Sequence, residues 1–97
     1  MKTEVETGDI ERGILDMRRR RAVWRATHRG TKELDILVGR YAVARLPDMA
    51  SEELDLFEDF LAVSETDLQG WLLTPGADAG GKFSTLVVAM RRFHGLI

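Results

Sequence analysis

Few side chains of this 97-residue sequence could carry out chemistry on their own. There is no cysteine, which excludes a thiol nucleophile, a disulfide and a cysteine-based zinc site. With His28 and His94 as the two histidines, no histidine-based metal site is visible. The carboxylates Asp55, Glu58 and Asp59 could act as acids and bases or bind a metal ion, but no histidine accompanies them, and we interpret them as a solvated helix face. We therefore expect a protein that is not an enzyme.

The most informative polar cluster is Arg29-Gly30-Thr31-Lys32-Glu33, which lies between two segments with helical periodicity. Gly30 suits the left-handed backbone that ends a helix, and Thr31 suits the N-cap of the next one. Arg29 and Glu33 then carry the charges that their helix dipoles favour, each contributing roughly 0.3–1 kcal/mol. This pattern has two interpretations. It is either a well-capped corner, which the residues alone favour, or an exposed cluster that docks into a polar cleft of a partner.

The elements that position this corner follow from the spacing of apolar residues, which predicts helices and no strands. We expect an all-α fold: a single small domain, built as a bundle of about five helices with short connections. A flexible N-terminus over residues 1–8 precedes the domain, which spans residues 9–97. The predicted helices are Asp9–Arg29, Thr31–Arg45, Glu52–Val63, Thr66–Leu73 and Lys82–His94.

Several residues carry specific structural expectations within these helices. Ser51 is predicted to cap the third helix, and Thr66 with Gln69 forms a capping box for the fourth. Gly39 could permit a close helix crossing, and Trp71 is interpreted as a core anchor. Four large residues of the first helix are spaced for one apolar face: Ile10, Ile14, Met17 and Trp24.

The overall charge argues against nucleic acid as the main partner, because the net charge is −2. The run Arg18–Arg21 could still form a patch for nucleic acid or for an acidic partner protein. Four consecutive positions point nearly all round a helix, so a solvated helix surface is the favoured interpretation. The composition, 44% hydrophobic and 31% charged, is that of an ordinary globular domain.

The sequence predicts neither secretion nor membrane insertion. No run approaches the roughly 18 apolar residues of a membrane span. The N-terminal stretch Met1–Glu6 is acidic and lacks the apolar region of a signal peptide. We expect a cytoplasmic protein.

The corner and its surroundings resemble a known family, the FAD assembly factors of succinate dehydrogenase (the SdhE family). Arg29-Gly30-Thr31-Lys32-Glu33 is similar to the Arg-Gly-x-x-Glu motif of that family, and the segment Trp24–His28 is similar to the one that precedes the motif. Glu53–Leu61 resembles the family's third helix, and Asp67–Leu72 resembles its short Asp-Leu-x-x-Trp-Leu segment. The resemblance extends from about Leu15 to His94.

The resemblance implies a small five-helix protein of the bacterial cytoplasm, a monomer when free. Such proteins bind the flavoprotein subunit of succinate dehydrogenase, and in some bacteria that of fumarate reductase. They promote the covalent attachment of FAD to a histidine of that subunit. FAD is carried by the partner, and this chain holds no cofactor. The resemblance implies a docking core of Arg29, Gly30 and Glu33, with His28, Thr31, Lys32 and Asp35 as neighbours.

This reading needs no catalytic group in the chain itself, since the flavoprotein can catalyse its own flavinylation once its histidine and flavin are aligned. One residue departs from the family pattern: His28 stands where an arginine or lysine is often found, so a permanent cation is missing there. Two alternatives stay open. One is a nucleic-acid-binding regulator that uses Arg18–Arg21, and the other is an antitoxin-like protein-interaction module.

Overall fold

A computed structural model describes the backbone of residues 2–97 and the side chains of residues 8–97. Five α-helices follow one another, and within this described range there is no strand, which confirms the predicted all-α single domain. None of the described helices is both long and apolar enough to cross a membrane. Short 3-10 turns at Leu46–Asp48 and Gly81–Phe83 precede α3 and α5. The helices are α1 (Lys2–Thr27), α2 (Lys32–Arg45), α3 (Ser51–Leu61), α4 (Glu65–Leu73) and α5 (Ser84–Phe93).

The backbone of α1 begins earlier than predicted, at Lys2 instead of Asp9, and ends at Thr27 instead of Arg29. The side chains of residues 1–7 lie outside the described residues. The predicted flexibility of residues 1–8, and the boundary between them and the domain, therefore stay predictions.

The core is formed mainly by α2 to α5. Phe57 and Phe60 of α3 are fully buried at its centre, and burial of each contributes roughly 1.5–3 kcal/mol. Trp71 packs against this centre, with its ring 6.5 Å from that of Phe60, so it anchors the core as predicted. Eight further fully buried residues complete the centre of the core: Leu34, Val38, Leu46, Leu54, Leu68, Leu72, Val87 and Met90.

Small residues bring α1 and α2 close together. Ala22 and Ala26 of α1 are buried, and Gly39 of α2 faces the end of α1. A β-carbon at Gly39 would lie 3.0 Å from Thr27 Cγ2 and 3.2 Å from Thr27 Cα. A larger residue at this position would therefore push the helices apart, which confirms the predicted close crossing.

The apolar face predicted for α1 does not pack in the core. The face of α1 that packs on the domain is lined by Ala22 and Ala26 with the partly buried Leu15 and Val23. The spacing of the four larger residues predicts a shared face, but not whether another element covers it. Their exposed fractions are 62% for Ile10, 54% for Ile14, 55% for Met17 and 62% for Trp24.

Two of the predicted N-caps are wrong by one or two residues. Ala50, not Ser51, occupies the N-cap of α3, and its N–H donates to Glu53 Oε1 at 3.1 Å. Ser64, not Thr66, caps α4, because its hydroxyl accepts a hydrogen bond from Asp67 N at 3.2 Å. The Ser64 hydroxyl satisfies a free N–H group at the start of α4, whereas Ala50 has no side-chain acceptor and the Glu53 carboxylate binds its N–H instead.

The carboxylates of α3 form ion pairs instead of a purely solvated face. Arg18 of α1 reaches Asp55 Oδ1 at 2.5 Å and Glu58 Oε1 at 2.6 Å. Hydrogen bonds to Glu58 and then to Asp55 raise the pKa of Arg18 above its ordinary value. Arg19 donates to the carbonyl oxygen of Met49 at 2.6 Å. The first half of the arginine run thus joins α1 to the domain.

Candidate partner-binding corner

The turn between α1 and α2 is built as the sequence predicts. Residues 28–31 connect the helices, and Gly30 has a φ of +107°, a conformation that other residues rarely adopt. Thr31 is the N-cap of α2, and its hydroxyl accepts a hydrogen bond from Leu34 N at 3.4 Å. The backbone N–H of Arg29 donates to Asp35 Oδ1. These contacts fix the shape of the corner and confirm its capping function.

The guanidinium of Arg29 is engaged within the domain. Its Nη2 donates to Val63 O at 3.0 Å, and its Nη1 donates to Leu61 O. Leu61 is the last residue of α3 and Val63 lies two residues beyond it, so the guanidinium is next to the C-terminal end of α3, where the helix dipole favours a cation. The resemblance implies that Arg29 belongs to the docking core that contacts a partner. In the structure the carbonyls belong to this chain, so Arg29 ties the corner to the α3–α4 connection.

Glu33 and Lys32 differ from Arg29, because their side chains take no part in the internal contacts of the corner. Both side chains are exposed in the first turn of α2, and within the part of the chain that the structure describes neither forms a hydrogen bond or an ion pair. A carboxylate held on a rigid helix end can accept hydrogen bonds from a partner without ordering a flexible segment first. Of the predicted docking residues, these two have the chemistry and the freedom to bind.

Sequence reasoning missed a second carboxylate at the corner, that of Glu65. Its Oε1 lies 3.1 Å from the position that a β-carbon on Gly30 would occupy. Glu65 opens α4 and is distant from the corner along the chain, so no local pattern could have revealed it. A negative charge therefore lies against the backbone of the turn.

An aromatic pair lies beside the corner. The rings of Trp24 and His28 are stacked, with centroids 4.3 Å apart, and both residues are exposed. His28 Nδ1 lies 2.7 Å from the carbonyl oxygen of Trp24. The Thr27 hydroxyl lies 3.0 Å from the same nitrogen, so both contacts of Nδ1 hold the ring against the end of α1. The exposed ring of His28 thus gives the corner a flat aromatic surface, where the family often has the long cationic side chain of arginine or lysine.

A shallow groove between α1 and α2 starts at the corner. Thr27 and Asp35 line its near end, and Ile36, Val43 and Ala44 give it a mainly apolar floor. No group of three or more histidine, cysteine, aspartate or glutamate side chains among the described residues is placed to hold a metal ion. The corner combines hydrogen-bonding groups, a carboxylate and apolar surface. Protein–protein interfaces are generally built from such groups.

These features define the class as a small all-α domain with a rigid and exposed polar corner. The chain belongs to the family described as Sdh5, flavinator of succinate dehydrogenase, whose model matches residues 20–94. The match includes the whole corner and all of α2 to α5. It confirms the family to which the sequence was assigned by resemblance.

Individual relatives carry consistent names. The FAD assembly factor SdhE of Acetobacter pasteurianus is 45% identical over 58 residues, which cover 60% of this chain and 53% of that protein. The mitochondrial succinate dehydrogenase assembly factor 2 of Komagataella phaffii is 38% identical over 56 residues, which cover 58% of this chain and 30% of that protein. The chain therefore spans about half the length of the bacterial relative and less than a third of the yeast one. No solved structure matches the chain.

Proposed function

We propose that this chain binds the flavoprotein subunit of succinate dehydrogenase and promotes the covalent attachment of FAD to it. The family match over residues 20–94 carries the proposal. The names of the bacterial and fungal relatives, an FAD assembly factor and a succinate dehydrogenase assembly factor, support it. The flavoprotein of fumarate reductase is a second candidate partner, and the bacterial cytoplasm is the proposed location.

In this proposal the corner is the docking site, and its residues divide into two groups. Glu33 accepts hydrogen bonds from the flavoprotein, and Lys32 contributes a cation beside it. Gly30 allows the partner backbone to come close, since it carries no side chain. The remaining predicted docking residues hold the corner in shape through their internal contacts: His28, Arg29, Thr31 and Asp35.

The chain promotes the reaction by positioning and contributes no reacting group. The flavoprotein brings both the FAD and the histidine that becomes attached to it. Bound at the corner, this chain stabilises the arrangement of the flavoprotein in which the two are aligned. A preformed corner suits this function, because little conformational entropy is lost when it docks.

The contacts of the arginine run weaken the alternative of a nucleic-acid-binding regulator. Arg18 and Arg19 are occupied by Glu58 and by the carbonyl of Met49, so the patch for phosphates is half the size that the sequence suggests. Together with the net charge of −2, this leaves little basis for duplex binding. We propose no nucleic acid partner.

The test is a reconstitution of covalent flavin. The purified chain is mixed with FAD and the apo flavoprotein subunit of succinate dehydrogenase, and protein-bound flavin fluorescence is read in a denaturing gel. The proposal predicts a faster or larger covalent signal than in the flavoprotein alone. An unchanged time course, with no complex between the two proteins, would remove the proposed function.

A further inference from the structure

A basic pocket lies between the C-terminal parts of α2 and α5. Its volume is about 370 Å³, which is within the range of roughly 300–1,000 Å³ that is usual for small-molecule sites. We call it the α2–α5 pocket. It is lined by Tyr41 and Arg45 of α2 and by Ala89, Arg92 and Phe93 of α5.

The α2–α5 pocket carries two positive charges that its own lining does not neutralise. Arg45 and Arg92 are exposed, and among the described residues neither side chain forms an ion pair or a hydrogen bond. Of the described residues that line the pocket, none is an aspartate or a glutamate. Arg18 and Arg19 differ, because their guanidinium groups are already bound to Glu58 and to the carbonyl of Met49. The two guanidinium groups of the pocket therefore keep their N–H donors for a ligand.

Contacts between the two helices hold the pocket in shape. The guanidinium carbon of Arg45 lies 5.4 Å from the centroid of the Phe93 ring, a cation–π contact that orients the side chain. The Phe93 ring meets the Tyr41 ring edge to face, with centroids 5.5 Å apart. His94 Nε2 lies 2.7 Å from the carbonyl oxygen of Leu37, which fastens the end of α5 to α2. Little ordering of Arg45 is thus needed when an anion binds.

Tyr41 contributes a hydroxyl group to the lining of the pocket. Burial raises the pKa of Tyr41, so the hydroxyl is protonated at neutral pH, and the charge of Arg45 acts in the opposite direction because the guanidinium is close. The carboxylate of Glu53 also raises this pKa, but Glu53 does not line the pocket. Among the described residues the hydroxyl has no hydrogen-bond partner, and it is not sealed from solvent. It can therefore donate to a bound anion.

Helix dipoles account for only part of this arrangement. Arg45 is in the last turn of α2 and Arg92 is in the last turn of α5, where cations are favoured. Within the described part of the chain, however, neither guanidinium donates to a terminal carbonyl of its helix, so its donors are unused. The same dipoles oppose a bound anion, which limits the affinity of the pocket.

We propose that the α2–α5 pocket binds a small organic phosphate. A phosphate monoester carries a charge of about −1.5 to −2 at neutral pH, which matches two guanidinium groups, and its oxygens accept hydrogen bonds from both. A single carboxylate would neutralise one of the two charges. The organic part of the ligand lies against the apolar surface of Ala89 and Phe93.

The pocket is separate from the corner that is proposed to dock the flavoprotein. Arg45 is twelve residues from Glu33 on the same helix, or about 18 Å at 1.5 Å per residue. A small ligand in the pocket therefore leaves the docking residues uncovered.

The test is a titration of the full chain with phenyl phosphate at constant ionic strength, followed by ¹⁵N–¹H NMR spectra. We expect saturable shifts at the amides of Ala89 and Phe93, with a dissociation constant of about 1 mM or less. Phenyl sulfate has the same ring but a single negative charge, so it should bind more weakly. Equal affinity for the two probes would overturn the assignment to a phosphate.

Three variants locate the binding site. Arg45→Gln and Arg92→Gln should each increase the dissociation constant about tenfold, because one of the two charged donors is lost. Arg92→Gln should fold like the wild type, since no contact among the described side chains depends on it. Arg40→Gln is the matched control: Arg40 is exposed on α2 outside the pocket, and its variant loses the same charge but should bind like the wild type.

Three further results would overturn the proposal. The first is the absence of saturable shifts up to about 20 mM phenyl phosphate. The second is an equal loss of affinity in Arg40→Gln, which would indicate a diffuse attraction by surface charge. The third is a chain that ignores phenyl phosphate but binds the flavoprotein less tightly after Arg45→Gln and Arg92→Gln, which would assign both arginines to that interface. Because the titration uses the free chain alone, its outcome is independent of the proposed function.

Discussion

Replacing Arg29 with alanine should destabilise the whole domain, because its guanidinium connects the corner to the end of α3. The side chain donates to two carbonyls, with Nη2 3.0 Å from Val63 O and Nη1 bonded to Leu61 O. A hydrogen bond from a charged donor contributes roughly 1.5–3 kcal/mol, so the two set an upper limit of about 6 kcal/mol. Because the site is only partly buried, water can replace part of the lost hydrogen bonding. We therefore expect Arg29→Ala to lower the free energy of unfolding by about 2–3 kcal/mol.

This loss is large enough to measure by thermal unfolding, followed by far-ultraviolet circular dichroism. For a domain of this size it corresponds to a decrease of about 8 °C or more in the midpoint. Arg40→Ala, at an exposed position of α2, is the control and should change stability by less than about 0.5 kcal/mol. If Arg29→Ala unfolds at the wild-type midpoint while flavinylation is lost, the guanidinium acts on the partner and our structural assignment is refuted.

Three further predictions follow from single sites. Gly39→Val should destabilise the domain by about 1–3 kcal/mol in urea unfolding, because its side chain would collide with the backbone of α1; an unchanged midpoint would contradict the close crossing. Gly30→Ala should lower the free energy of unfolding by about 1–3 kcal/mol, because φ is +107° at this position. A variant as stable as the wild type would exclude that turn geometry. Hydrogen bonds from Gly80 N and the Ser84 hydroxyl lower the pKa of Asp78 below its ordinary value. The stability that the carboxylate contributes is therefore present above the ordinary pKa of an aspartate and is lost as pH falls through the lower folded-state pKa, so Asp78→Asn should lower stability at neutral pH more than in strong acid; an equal loss at both would argue against these bonds.

Local features of the sequence were sufficient for much of the fold and for the shape of the corner. The apolar spacing in α2, α3 and α5 predicts helices because each must bury one face. Gly30 and Thr31 act at the corner through backbone geometry and capping, which depend only on neighbouring residues. Gly39 signalled a close crossing because a missing side chain has few other uses inside a helix.

Features that depend on distant parts of the chain could not be predicted. Arg29 carries the charge expected of a docking residue, and only the position of the α3 terminus shows that it binds carbonyls of its own chain. Arg18 belongs to a run that favours a solvated surface, yet it pairs with Glu58 forty positions away. The apolar face of α1 was recognised from its spacing, but which side of a helix another element covers is decided by the packing of Ala22 and Ala26.

The most direct test of the docking site compares Glu33→Ala with Glu52→Ala in the covalent flavin assay. Both glutamates are exposed in the first turn of a helix, so the two variants lose the same charge and the same dipole interaction. We predict that Glu33→Ala folds normally and abolishes the stimulation of flavinylation, whereas Glu52→Ala stimulates like the wild type. Full stimulation by a folded Glu33→Ala protein would contradict the claim that this corner binds the flavoprotein.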